Sequence, residues 1–268
     1  MKNVIVKAII GIVLGSTIAS CEKEINIDYK TVEPMYVVEA EVNNVSTRVA
    51  VSRTTQITGD NDDTSINNAI INITGSDNST LTLTKGIRGL YTSSFKGTAG
   101  VRYSIDVEID GRHFTSESTM QKQPVINSLR FVWKKMFSTR ILFADLRIED
   151  IKNETNFYFM HIYRNGVGYR WAVMKDTSNH NAELQQLFSC MDEDSDDADD
   201  KLNEGDNIRV EVRAIDKASY DYLFSLQHNT DITTNPIMNF TGGCLGYFSA
   251  YGRSQLTCKF TYEGIEEE

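Results

Sequence analysis

The chain has 268 residues, with 27 Lys and Arg against 37 Asp and Glu, for a formal net charge of −10. That acidity argues against nucleic acid as a partner, because phosphate binding needs a basic surface, and against flat docking on anionic lipid. In chain order, the first element is an export segment. Lys2 and Lys7 form a charged n-region, residues 8–18 an apolar h-region, and Ala19 and Ser20 are the small residues before a cut. Ile18-Ala19-Ser20-Cys21 has the shape of a lipobox, where a bacterial signal peptidase cleaves before a cysteine that carries lipid. The apolar run is shorter than the ~20 residues of a membrane span, so it is expected to be removed. Residues 1–20 are therefore read as a signal peptide and 21–34 as a tether acylated on Cys21, with palmitate-type chains and no other cofactor. Several acyl chains, each contributing about 0.8 kcal/mol per buried methylene, would hold durably. Loss of Lys2 and Lys7 takes the formal charge from −10 to −12.

Period-two patterning dominates the chain beyond the tether. Strands are expected at 36–42, 48–53, 69–74, 80–84 and 90–95. The clearest is Val101-Tyr103-Ile105-Val107-Ile109, with Arg102, Ser104, Asp106, Glu108 and Asp110 on the opposite face. Asp110-Gly111 then favours a two-residue hairpin that sets Val107 opposite Phe114. Short strands separated by clusters such as Gly75-Ser76-Asp77-Asn78 have the spacing of a β-sandwich. A boundary is expected near Gln121 to Pro124, where proline interrupts the pattern.

Beyond it, strands are expected at 126–133, 140–148, 156–164 and 169–174. Ile208-Val210-Val212-Ala214 alternates with Arg209, Glu211 and Arg213, and Leu256-Cys258-Phe260-Tyr262 alternates near the end. One helix is expected from Lys217 to Gln227 with Asp216 as N-cap, and a weaker one from Ala182 to Phe188. The fold class is thus all-β dominated. It comprises an N-terminal immunoglobulin-like β-sandwich (35–122), a second β-rich domain (123–262) with one or two short helices and an acidic loop at 192–200, and an acidic tail (263–268).

Motifs for chemistry are sparse. Asp192, Asp194 and Asp196 have the spacing that begins an EF-hand loop, but Asp197 stands where its glycine belongs and Asn203 where its bidentate glutamate belongs. A solvated loop is the simpler reading, with weak divalent-ion binding at those three aspartates as the sharper one. The glycine-rich Thr241-Gly242-Gly243-Cys244-Leu245-Gly246 lacks the Lys-Ser/Thr of a phosphate cradle, so close backbone approach or a bulge is expected. Cys190, Cys244 and Cys258 are an odd set for an oxidising compartment. A hairpin turning at Gly252-Arg253 would leave Cys244 out of register with Cys258, and buried free thiols are favoured over that bridge. His113, His161, His180 and His228 are too scattered for zinc. No hydrolase motif occurs, so no catalytic residue is assigned. A carboxylate pair of the glycosidase type stays open on composition.

Three stretches carry a family resemblance. Cys21-Glu22-Lys23-Glu24-Ile25 leads to Tyr36-Val37-Val38-Glu39-Ala40-Glu41-Val42, with Ala40 where the family has glycine. Ala99-Gly100-Val101-Arg102-Tyr103-Ser104-Ile105 is the second stretch. The third joins Tyr220 to Leu226, Asn235-Pro236 and Gly242 to Ala250. Together they resemble a family of Bacteroidota lipoproteins described as domain of unknown function 4249. The resemblance implies an outer-membrane lipoprotein working beside a TonB-dependent receptor in nutrient uptake. Glu22-Lys23-Glu24 is similar to the signal for display on the outer surface, favoured over a periplasm-facing position. The ligand is left open, and the alternatives are a free-standing adhesin or matrix-binding protein and a carboxylate-based hydrolase.

Overall fold

The computed structural model describes residues 33–55, 63–151, 154–176, 183–193, 201–228 and 235–268. The export segment, Cys21, most of the tether and the acidic run 194–200 lie outside these residues. The strands of the first sandwich are β1 (Tyr36–Asn43), β2 (Thr47–Arg53), β3 (Ile70–Gly75), β4 (Thr80–Leu83), β5 (Leu90–Ser93), β6 (Arg102–Ile109) and β7 (Arg112–Thr119). Each alternates because one face is buried and the other wet. Asp110 and Gly111 both have positive φ, 50° and 76°, as a primed hairpin turn requires. Val107 accordingly faces Phe114, and both are fully buried.

The second half continues with β8 (Ile126–Met136), β9 (Thr139–Glu149), β10 (Phe157–Arg164), β11 (Val167–Lys175), β12 (Glu183–Asp192), β13 (Asn207–Ile215), α1 (Lys217–His228), β14 (Leu245–Lys259) and β15 (Glu266–Glu267). Asp216 caps α1 as expected, its Oδ1 accepting from the Ser219 amide at 2.9 Å. The helix expected over 182–188 is a correction. Residues 183–192 form β12, paired antiparallel along β9. An isolated helix of two turns nucleates poorly, whereas the edge of β9 offers unpaired backbone groups that β12 satisfies.

The described residues form three sheets: a seven-stranded one in the order β11-β10-β13-β14-β1-β2-β5, and four-stranded ones in the orders β12-β9-β8-β15 and β4-β3-β6-β7. One apolar core, containing Val38, Ile71, Ile105, Phe114 and Phe248, fills the first sandwich. Another, containing Leu142, Met160, Val210 and Phe260, fills the second. β14 belongs to both. Leu245 to Tyr251 pair in parallel with Val37 to Asn43, and Gly252 to Lys259 pair antiparallel with β13.

The hairpin considered at Gly252-Arg253 therefore does not form. Gly252 is extended, and a Cβ there would lie 2.6 Å from the Gln123 amide nitrogen, so the glycine admits the crossing segment between the sandwiches. Cys244 and Cys258 sit fourteen positions apart along one strand direction, roughly 45 Å at the usual rise, and no bridge can join them. Both are free thiols. Cys190 is buried in the second core, its Sγ donating to Phe188 O at 3.5 Å. Burial pushes the Cys244 thiol up to about 11, the direction that makes a cysteine inert.

Candidate partner-binding face

Alternation in β10, β13 and β14 sends Met160, Ile162, Val210, Val212 and Leu256 into the second core. The intervening residues are presented on the outer face of the seven-stranded sheet. Register then aligns side chains from distant parts of the chain. His161 faces Trp171 on one side and Glu211 on the other, and Glu211 faces Gln255. Arg213 faces Phe159 and Arg253, while Tyr163 faces Arg209.

At the centre lies Glu211, only 2 % exposed. Its carboxylate accepts from Arg213 Nε at 2.6 Å, Arg253 Nη1 at 3.1 Å and Gln255 Nε2 at 2.5 Å, with Arg209 Nη1 at 3.5 Å. Burial alone would raise this carboxyl, but Arg213, Gln255 and Arg253 outweigh it and hold it below the ordinary range. Arg213 reaches on to Glu41 of β1 at 3.4 Å, and the Tyr251 hydroxyl donates to the same Glu41 oxygen at 2.7 Å. The network thus ties the β1 region to the second sandwich across β14.

Aromatic rings complete the face. The Arg209 guanidinium lies 3.8 Å from the Tyr163 centroid, and Tyr163 stacks on His161 at 4.0 Å. Arg213 lies over Tyr251 and Phe159 at 4.7 and 5.3 Å. Gly168 makes room for the imidazole, since a Cβ there would come within 2.8 Å of His161 Nε2. α1 covers one end of the face, with Tyr222 stacked on Tyr247 at 4.5 Å and Phe157 against Tyr220 at 4.9 Å. Beside it, Glu39, Glu41, Arg48, Arg213 and Tyr247 line a polar cleft of about 150 Å³. Such a surface offers stacking planes and guanidinium donors already held in position, which suits a partner rich in hydrogen-bonding groups.

His161 makes the face sensitive to acid. Its partial burial, and next Arg213, depress the imidazole below its usual value. The unfolded chain, titrating near 6.5, then binds the proton more readily. The contribution of His161 to stability is full above about pH 6.5 and declines as pH falls from there through the depressed native value. His161→Phe, which keeps the stack on Tyr163, should flatten the dependence of the unfolding midpoint on pH below about 6.5. An unchanged slope would place that titration elsewhere.

Residues 22–257 match the family described as Domain of unknown function (DUF4249). The chain belongs to that family. The DUF4249 match spans both sandwiches and ends within β14. In this DUF4249 chain the glycine-rich closing stretch is structural. Cys244, Phe248 and Ala250 are buried in the first core, and Gly246, at φ 97°, lies against the main chain of Val38. Among solved structures, a two fibronectin type-III domain segment from chicken tenascin is similar at 9 % identity and a TM-score of 0.24, covering 85 % of this chain and 99 % of its own. No curated protein matches the chain.

Of the candidate site residues, Cys21, Asp194 and Asp196 lie outside the described residues. Asp192 ends β12, where its Oδ1 accepts from Thr139 Oγ1 at 2.6 Å, and neighbouring Glu193 pairs with Arg140 at 3.0 Å. Among the described residues, no group of three or more His, Cys, Asp or Glu side chains converges as metal ligands. Sequence reasoning does not single out the Glu211 network. Its signal is the Arg209, Glu211 and Arg213 alternation, which locates the face but not the strands that complete it.

Proposed function

We propose that the chain is an outer-membrane lipoprotein, tethered through acylated Cys21 and displayed on the cell surface. There it acts as a non-enzymatic binding subunit for a TonB-dependent receptor in nutrient uptake. The lipobox supports the tether. The observation that carries the binding reading is the ladder of His161, Tyr163 and Arg209 beside the buried Glu211, where rings and guanidinium are held in place while still reachable. Tyr and Arg are enriched among the residues that carry most of the binding energy of protein interfaces, and here stacking holds both in place before a partner arrives. The outer face of the seven-stranded sheet is on this reading the receptor-facing surface.

The test is to grow cells with labelled palmitate and purify the chain from detergent-solubilised membranes. The reading expects label that disappears in Cys21→Ala, together with a copurified receptor. An unlabelled wild-type chain contradicts the tether. A labelled chain recovered alone contradicts the receptor role and favours a free-standing adhesin.

A further inference from the structure

Where strands of the second sandwich end, three buried oxygen-bearing side chains come together. Asp150 directly follows β9, Asp176 directly follows β11, and Tyr158 is the second residue of β10. They are 7 %, 4 % and 1 % exposed. The main chain holds them close: the Asp176 amide donates to Asn156 O at 2.9 Å, and Asn156 Nδ2 donates to the carbonyls of Ile151 and Glu154, both at 3.4 Å. Burial first, and then the charges of Asp176, Asp150 and Glu154, push the Tyr158 phenol up to about 12. The acids thus lie near enough for their charge to reach the hydroxyl.

Two of these groups are anomalous. Asp150 Oδ1 and the Tyr158 hydroxyl are buried with no hydrogen-bond partner. Leaving one such group unmet costs about 1–3 kcal/mol, more if it is charged, and native structures rarely retain them without a reason. A cation held against them would satisfy both atoms at once.

We propose that Asp150, Asp176 and Tyr158 form a binding site for a hard divalent cation of the calcium class. Every available donor is oxygen, which disfavours zinc and other metals drawn to nitrogen or sulfur. Carboxylate oxygens beside a neutral phenol oxygen, with water in the remaining positions, suit the irregular coordination of six to eight that calcium accepts and magnesium resists. Asp150 follows directly on β9 of the β12-β9-β8-β15 sheet, whereas Tyr158 lies within β10, and Asp176 directly after β11, of the seven-stranded one. The bound ion would clip the two layers of the second sandwich together. This site is separate from the Asp192, Asp194 and Asp196 run.

The probe is calcium chloride added to the full mature chain after chelator treatment, read by calorimetric titration and thermal unfolding. The proposal expects one saturable site, an unfolding midpoint that rises with calcium, and a smaller response to magnesium. Asp150→Asn should abolish the rise yet unfold in chelator no lower than the wild type, because it removes an unpartnered buried charge. Tyr158→Phe should bind calcium several-fold more weakly with the fold intact. A calcium-dependent rise that survives in Asp150→Asn would assign the ion to the acidic run and overturn the proposal. So would a wild-type chain whose unfolding midpoint is indifferent to calcium.

Discussion

Replacing Glu211 with alanine lowers the stability of the chain by about 3 to 5 kcal/mol, the usual cost of removing one member of a buried ion network. The effect is large because four groups lose their acceptor together. Arg213, Arg253, Gln255 and Arg209 all converge on this carboxylate. Arg209 and Arg253 can turn toward water, which favours the lower end of the range. Arg213 cannot, since its side chain is 15 % exposed and held between Phe159 and Tyr251. Glu211→Gln should fall between wild type and alanine, since the amide fills the space and can still meet Gln255 but balances no charge. Urea unfolding of the three proteins checks the order. A loss under about 1 kcal/mol for alanine would mean the network is worth no more than a surface pair. Acid should reproduce part of the effect. The Glu211 carboxyl is depressed in the folded state, so its contribution is present above the unfolded carboxylate value and is lost as pH falls through the native one.

Gly246→Ala has an effect of similar size by another route. Gly246 sits at φ 97°, opposite Val38 in the parallel pairing of β1 with β14, and a Cβ there would lie 2.7 Å from the Val38 carbonyl carbon. Backbone strain alone costs roughly 1–2 kcal/mol. The overlap with main chain adds to it, because neither strand can withdraw without breaking the ladder that joins them. We expect a total of about 3–5 kcal/mol, in the tail of single-substitution effects. Gly243→Ala is the internal control. Its φ is 83° but nothing lies within 4 Å of a new Cβ, so only the strain applies. Equal losses at the two positions would show that close approach at Gly246 is unimportant.

The legible part of this fold is its local part. Alternation from Val101 to Ile109 and the Asp110-Gly111 turn place the β6–β7 hairpin to the residue, because a two-residue turn and one buried face leave a single register. Residues 183–192 mislead because Leu184, Leu187 and Phe188 fit a short helical face as well as a strand. The vacant edge of β9, which decides between them, is a tertiary fact. The full length of β14 is hidden for the same reason. Gly252 resembles a turn residue, and only the passage of Gln123 beside it explains a glycine in an extended strand. At the candidate site, Arg209, Glu211 and Arg213 read as a polar face. Nothing in a linear pattern shows that Arg253 and Gln255, some forty residues later, fold over Glu211 and bury it.

On the function we propose, a lipid-tethered chain meets a receptor through the outer face of the seven-stranded sheet. The most direct measurement is receptor recovery from detergent-solubilised membranes, comparing wild type with the double variant Tyr163→Ala, Arg209→Ala. Both side chains reach solvent, so the variant should stay folded and membrane-bound. Loss of two interface anchors costs at least about 2 kcal/mol, or more than tenfold in affinity. A TonB-dependent receptor is expected with the wild type and little or none with the double variant. Wild-type chain recovered without a receptor, or a receptor retained equally by both, would contradict it.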